Sequence, residues 1–139
     1  MILVLDASTA LAWIYAREKP DEAACAERVL QATAEMEVVV PSLWHTEIAN
    51  ALLVGERRKI ITEAQAFDYL ARLARLPIAT DNVMPAARQD QVMAIARAYG
   101  LSAYDATYLD LALRTGAVLA TFDGKLAAAM QGAGGALFK

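Results

Sequence analysis

The run Ile2-Leu3-Val4-Leu5, cut off by Asp6, constrains this chain more than any other feature. Four apolar residues in succession leave no polar face, so a strand made from them must be covered on both sides. That is the situation of a central strand in a parallel sheet, and parallel neighbours demand crossover connections, usually helices. Val38-Val39-Val40, Pro77-Ile78-Ala79-Thr80 and Ala117-Val118-Leu119-Ala120-Thr121 read as further strands, and Ala136-Leu137-Phe138 as a last, short one. Helical stretches separate them. Ser8 is placed to cap a helix through Thr9–Tyr15. Asp21 is placed to cap one from Glu22 to about Ala34, with Ala23, Ala26, Val29 and Leu30 on one stripe. Ser42 caps a long helix to about Lys59. Thr62 starts another, with Phe67, Leu70, Leu73 and Leu76 at helical spacing. Pro85 opens a helix that stops at Gly100, Ser102 one that stops at Gly116, and Asp123 one that runs through Leu126 to Met130. Short strands alternating with helices predict an α/β fold with a mainly parallel sheet. No linker or repeat interrupts it, so residues 1–139 are expected to form one domain.

Two acids fall at equivalent places in this scheme. Asp6 ends the first strand and Asp123 follows the strand that ends near Thr121. Ligands of open α/β sheets bind beyond the carboxyl ends of the strands, so both side chains enter one crevice if the two strands are neighbours. Asp105, near the start of its helix, reads either as a site residue or as a first-turn acid favoured by the helix dipole. Glu47 sits in the largely apolar stretch Leu43-Trp44-His45-Thr46-Glu47-Ile48-Ala49-Asn50 and shares a face with Asn50. It is either part of a solvated stripe or an acid carried into the crevice. Carboxylates drawn together repel: two unit charges 4 Å apart cost about 4 kcal/mol at an effective dielectric near 20. Protonation or a bound cation relieves this. Oxygen ligands suit Mg²⁺ or Mn²⁺, and one cysteine with one histidine cannot build a soft-metal site. His45, two positions before Glu47, projects from a different helix face and reads as an ordinary surface or core histidine. Cys25 reads as a small buried hydrophobe. Phosphate loops of the G-x-G-x-x-G and G-x-x-x-x-G-K-[ST] kinds and the G-x-S-x-G nucleophile elbow are absent. The residues themselves point to a hard-metal site for phosphoryl chemistry.

Net charge is −3, which excludes a protein that coats nucleic acid through a broad basic surface. Arg57-Arg58-Lys59 is the one dense basic run; it reads as a helix C-terminal cap or as a phosphate-steering patch. Apolar residues make up 58% of the chain, above the usual share for soluble domains, which predicts a homodimer face or a partner groove. A lone cysteine, with no secretory signature, fits a reducing cytoplasm. No stretch approaches the roughly 18 apolar residues of a membrane span.

Four segments, in order, resemble the motifs of PIN-domain ribonucleases, and most closely the VapC-like toxins of type II toxin–antitoxin pairs. They are Val4-Leu5-Asp6-Ala7-Ser8, Glu47-Ile48-Ala49-Asn50, Ser102-Ala103-Tyr104-Asp105-Ala106-Thr107-Tyr108-Leu109-Asp110-Leu111-Ala112, and Leu119-Ala120-Thr121-Phe122-Asp123-Gly124-Lys125-Leu126. The resemblance spans essentially the whole chain. It implies a parallel sheet of about five strands flanked by helices. It implies that Asp6, Glu47, Asp105 and Asp123 bind Mg²⁺ or Mn²⁺, with Ser8 and Thr121 in support and Asn50 lining the site. It further implies endonucleolytic cleavage of RNA by metal-activated water, a cognate antitoxin that blocks the groove, and a homodimer. Two other readings stand beside it: a housekeeping RNA-processing nuclease with the same site, and a receiver-type phospho-acceptor module, which also places an Asp after a strand in an acidic Mg²⁺ pocket. One residue departs from the family pattern. Asp110 stands where a small or apolar residue is usual, roughly 140° around the helix from Asp105, and reads as a solvated or dimer-rim acid.

Overall fold

A computed structural model describes residues 1–139. The first strand, β1 (Ile2–Leu5), leads through helices α1 (Ala7–Leu11) and α2 (Pro20–Ala32) to β2 (Glu37–Val40). Helices α3 (Leu43–Arg57) and α4 (Glu63–Leu73) follow, then β3 (Ile78–Thr80). A 3₁₀ turn (Pro85–Arg88) and helices α5 (Gln89–Tyr99) and α6 (Ala103–Thr115) lead to β4 (Val118–Ala120). Helix α7 (Gly124–Gly132) and β5 (Ala136–Leu137) complete the chain. The five strands form one sheet in the order β3-β2-β1-β4-β5, and every pairing is parallel. The short C-terminal segment does join as an edge strand, with Phe138 N–H extending the ladder to the Leu119 carbonyl at 2.9 Å.

As its run of apolar residues demands, β1 lies at the centre of the sheet. Leu3, Val4 and Leu5 are wholly buried, each such side chain contributing roughly 1.5–3 kcal/mol of transfer free energy. The chain winds outward from β1 through β2 to β3, then returns to the other side of β1 with β4. The carboxyl ends of β1 and β4 therefore flank the topological switch point, where an open α/β sheet has its crevice. This order differs from 2-1-3-4-5, the order of receiver-type domains, so the phospho-acceptor reading fails on topology.

Four local expectations are corrected. Ser8 does not cap α1; Asp6 holds the N-cap position, and the Ser8 hydroxyl turns to Asp6 instead. Helix α2 starts at Pro20, whose fixed φ suits the first helical position, with Lys19 rather than Asp21 as N-cap; of the expected stripe only Ala26 and Val29 are buried. In α4, Thr62 and Gln65 form the reciprocal capping box, but the buried face is Ala66, Tyr69 and Leu73. Phe67 is 75% exposed and Leu70 46%, because the adjacent stripe carrying Tyr69 is the one that meets the core. Cys25 is half-buried rather than fully enclosed.

The largest correction concerns Asp110. It is 4% exposed and lies under two guanidinium groups. Arg88 grips it with both Nε (3.0 Å) and Nη2 (2.7 Å), and Arg114 Nε adds a third bond at 3.2 Å. Arg114 Nη2 continues to Asp81 at 2.7 Å, so the chain of charges ties the end of β3 and the 3₁₀ turn to α6. Burial alone would raise the Asp110 carboxyl; the bonds from Arg88 and Arg114 outweigh it and hold the group below the ordinary aspartate range.

Candidate active site

Asp6, Glu47, Asp105 and Asp123 all line one cleft of about 330 Å³, together with Ser8, Asn50 and the backbone and small side chains around Ala7 and Ala51. Each acid comes from a different element. Asp6 follows β1, where its N–H continues the sheet ladder to the Ala120 carbonyl at 3.0 Å. Asp123 follows β4 and caps α7, its Oδ1 accepting Leu126 N–H at 2.9 Å. Glu47 projects from α3, beside Asn50 on the same face, and Asp105 from the first turn of α6.

In three of these acids the chain holds one carboxylate oxygen by well-formed hydrogen bonds. Oδ2 of Asp6 accepts both the Ser8 and the Thr121 hydroxyls, each at 2.6 Å. Ser8 in turn accepts Phe122 N–H (3.1 Å), and Thr121 accepts Asp123 N–H (3.0 Å), so the loop after β4 is folded around Asp6. Oε1 of Glu47 accepts the Tyr108 hydroxyl at 2.6 Å, and Oδ1 of Asp123 is taken by its own helix cap. Asp105 carries no such restraint on its carboxylate; it is its backbone N–H that is bonded, to Ser102 Oγ at 3.1 Å.

The acids feel one another. The Asp6 carboxyl is raised by burial, against the pull of the Ser8 and Thr121 hydrogen bonds, and the charge of Asp123 raises it further. Burial also raises Glu47, opposed by the Tyr108 hydrogen bond and reinforced by Asp6 and Asp105. Asp105 is raised by burial and by Asp123 and Asp6, while Lys125 lowers it. No three of the chain's histidine, cysteine and acidic side chains close into a ready metal-ligand set. The donor chemistry nevertheless fits a hard divalent cation: the acidic lining is all oxygen, and beyond the effect of burial the acids raise one another through a repulsion that such an ion removes.

Of the other residues singled out in the sequence, Arg57, Arg58 and Lys59 are exposed at the end of α3, outside the cleft lining. Lys59 takes a left-handed φ of 58° there. His45 is exposed and bonded to Thr80 Oγ1 at 2.8 Å. Trp44 and Tyr108 belong to the core, whereas Tyr104 stands well out into solvent. Sequence reasoning missed Lys125, whose charge reaches Asp105 and whose Nζ donates to the Gly100 carbonyl at 3.3 Å. Its place two residues after Asp123, in the first turn of α7, was the available signal. It also missed Tyr108 as the partner of Glu47.

A parallel sheet with acids gathered at its switch point defines the class, and comparison with known proteins agrees. The PIN domain pattern matches residues 3–130, and the chain belongs to the PIN-domain family. Within that family it is VapC-like. It is 34% identical over 127 residues to Ribonuclease VapC3 of Pyrobaculum aerophilum, covering 91% of this chain and 93% of that protein. The crystal structure of PAE2754 from Pyrobaculum aerophilum superposes with a TM-score of 0.68 at 25% identity, over 93% of this chain and 79% of that one. FitAcB from Neisseria gonorrhoeae shares the fold, with a TM-score of 0.64 at 19% identity over 100% of this chain and 97% of that one. Family and relative together support a nuclease. No helix is long and apolar enough to cross a membrane.

Proposed function

We propose that this chain is an Mg²⁺- or Mn²⁺-dependent endoribonuclease and the toxin of a toxin–antitoxin pair, with residues 1–139 forming one nuclease domain. The observation that carries the reading is the convergence of Asp6, Glu47, Asp105 and Asp123, from four separate elements, on one cleft at the switch point of the sheet. These four would hold the cation. Ser8 and Thr121 fix Asp6, and Asn50 offers a neutral amide at the rim. When bound, the ion supplies the positive charge that lets a phosphodiester approach four acids and lowers the pKa of water for hydrolysis. Lys125, whose charge reaches Asp105, would meet a phosphate of the RNA backbone, and the exposed Arg57, Arg58 and Lys59, outside the cleft lining, would steer it.

The partner expectation has support of its own. An apolar groove of about 930 Å³ runs between the end of α1 and α4, lined by Trp13, Ile14, Tyr15, Ile60, Ile61 and Tyr69 among others. Ile60 on its wall is 63% exposed. The groove's charged lining residues are Asp68 and Arg72, which pair with each other. Such a surface suits the apolar face of an antitoxin helix. A cytoplasmic homodimer is part of the same reading, and Met84, Met93 and Tyr104 are among the exposed apolar side chains that a second copy of this chain could cover.

The test is cleavage of RNA by the purified protein with Mg²⁺ or Mn²⁺, with EDTA, and with Asp6→Asn or Asp105→Asn. Metal-dependent cutting that both variants lose while their circular dichroism is unchanged supports the reading. Undiminished cutting by the variants, or in EDTA, overturns it.

A further inference from the structure

Tyr108 is not among the residues lining the cleft, yet it grips one of the acids that are. Its side chain is wholly buried, on α6 one turn beyond Asp105, so the two share a helix face. From there its hydroxyl donates to Glu47 Oε1 at 2.6 Å, joining α6 to α3 across 61 residues of sequence. A phenol has a single proton to donate. Here that proton is committed to Oε1, which leaves Oε2 as the oxygen without a protein donor. The bond has the length of a charge-assisted O–H···O⁻ contact, and burial removes the water that would compete for it.

We propose that Tyr108 is a positioning residue: its hydroxyl sets the Glu47 side chain so that α3 presents one carboxylate oxygen to the cleft in a fixed place. The inference rests on the cleft being a cation site. It makes a parallel with Asp6, where Ser8 and Thr121 hold one oxygen in the same way. It also means that α6 governs two acids, Asp105 directly and Glu47 through Tyr108. A carboxylate held ahead of time loses less rotamer freedom when an ion arrives, and outer-shell partners of this kind affect metal affinity by roughly 10–100-fold. Were Tyr108 mere core filling, removing its hydroxyl would change stability without any effect specific to Glu47.

The experiment uses Tyr108→Phe, which keeps the ring. Mn²⁺ binding to the whole protein is followed by calorimetry and electron paramagnetic resonance without RNA, for wild type, Tyr108→Phe, Glu47→Gln and the double variant. In parallel, the side-chain carboxyl resonance of Glu47 is followed by ¹³C NMR in metal-free protein. Tyr108→Phe is expected to weaken Mn²⁺ binding by about tenfold or more. It is expected to add less than about twofold once Glu47 is already Gln, and to move the Glu47 resonance. Unchanged Mn²⁺ affinity in Tyr108→Phe overturns the proposal, as does an equal loss on both backgrounds. Wild-type protein that ignores Mn²⁺ would defeat the cation reading instead, and an unmoved Glu47 resonance defeats the tether whatever the metal does.

Discussion

Replacing Asp110 with Asn tests how far the buried charge chain holds the fold together. Asp110 is nearly sealed from water and takes three guanidinium hydrogen bonds, two from Arg88 and one from Arg114. Breaking a buried ion pair by removing one partner costs about 3–5 kcal/mol, chiefly because the remaining charge is stranded. Here the stranded groups keep a route to solvent: the Arg88 side chain is 30% exposed and that of Arg114 23%. Arg114 also retains Asp81 as a partner. The expected loss is therefore below that range, about 2–3 kcal/mol, which for a chain of this size corresponds to roughly 8–12 °C in melting temperature. The pH dependence carries the sharper signature. Asp110 titrates below its ordinary range in the folded state, so its stabilisation is complete above the unfolded value near 4 and disappears as the pH falls through the folded value. Urea denaturation of wild type and Asp110→Asn at pH 7 and pH 3 measures both effects. The gap should be large at pH 7 and smaller at pH 3. A gap below about 0.5 kcal/mol at pH 7, the scatter of ordinary surface changes, would refute the reasoning. So would a gap that is as wide or wider in acid.

Two further outcomes follow from the same geometry. A Cβ added at Gly55 would be built into the Tyr15 hydroxyl, which donates to the Ala51 carbonyl at 2.9 Å. Gly55→Ala should therefore destabilise by about 1–3 kcal/mol, although the same change in an open helix stabilises, and a rise in urea midpoint would contradict the contact. Asp6 behaves oppositely to Asp110. Its folded pKa is raised, so its ionisation opposes folding once the pH passes the unfolded value. Metal-free Asp6→Asn should be as stable as wild type or more so at pH 7, with that advantage shrinking toward pH 4; a large drop in melting temperature at pH 7 in EDTA would count against it.

The elements differ in how plainly the sequence announces them. The apolar run before Asp6 and its counterpart before Asp123 declare buried parallel strands, and the general rule for open α/β sheets then puts both acids in one crevice. Glu47 and Asp105 sit on helices, where the 3.6-residue period leaves the facing direction open; their place became readable only through the family motifs. Asp110 was misread because Arg88, which supplies two of its three bonds, is 22 residues away in sequence, and Arg114, four positions along α6, reads equally well as half of an exposed helix pair. Phe67 and Leu70 were misassigned for a related reason. Helix α4 carries two adjoining apolar stripes, and the choice between them is made by α3 and α1, against which it packs, not by the helix. Tyr108 lay in plain view within a motif, but a tyrosine at helical spacing reads as core until its hydroxyl is found on Glu47.

The separation of the four acids along the chain has a consequence for the cell that synthesises it. Asp6 follows the first strand, and Asp123 comes 117 positions later, on a loop that takes shape only when β4 has paired with β1. No N-terminal fragment that stops short of β4 contains the complete cleft. If the proposed activity is right, a translation product that stalls before β4 is harmless, and the ribosome must pass Asp123 before it has made anything able to cut RNA.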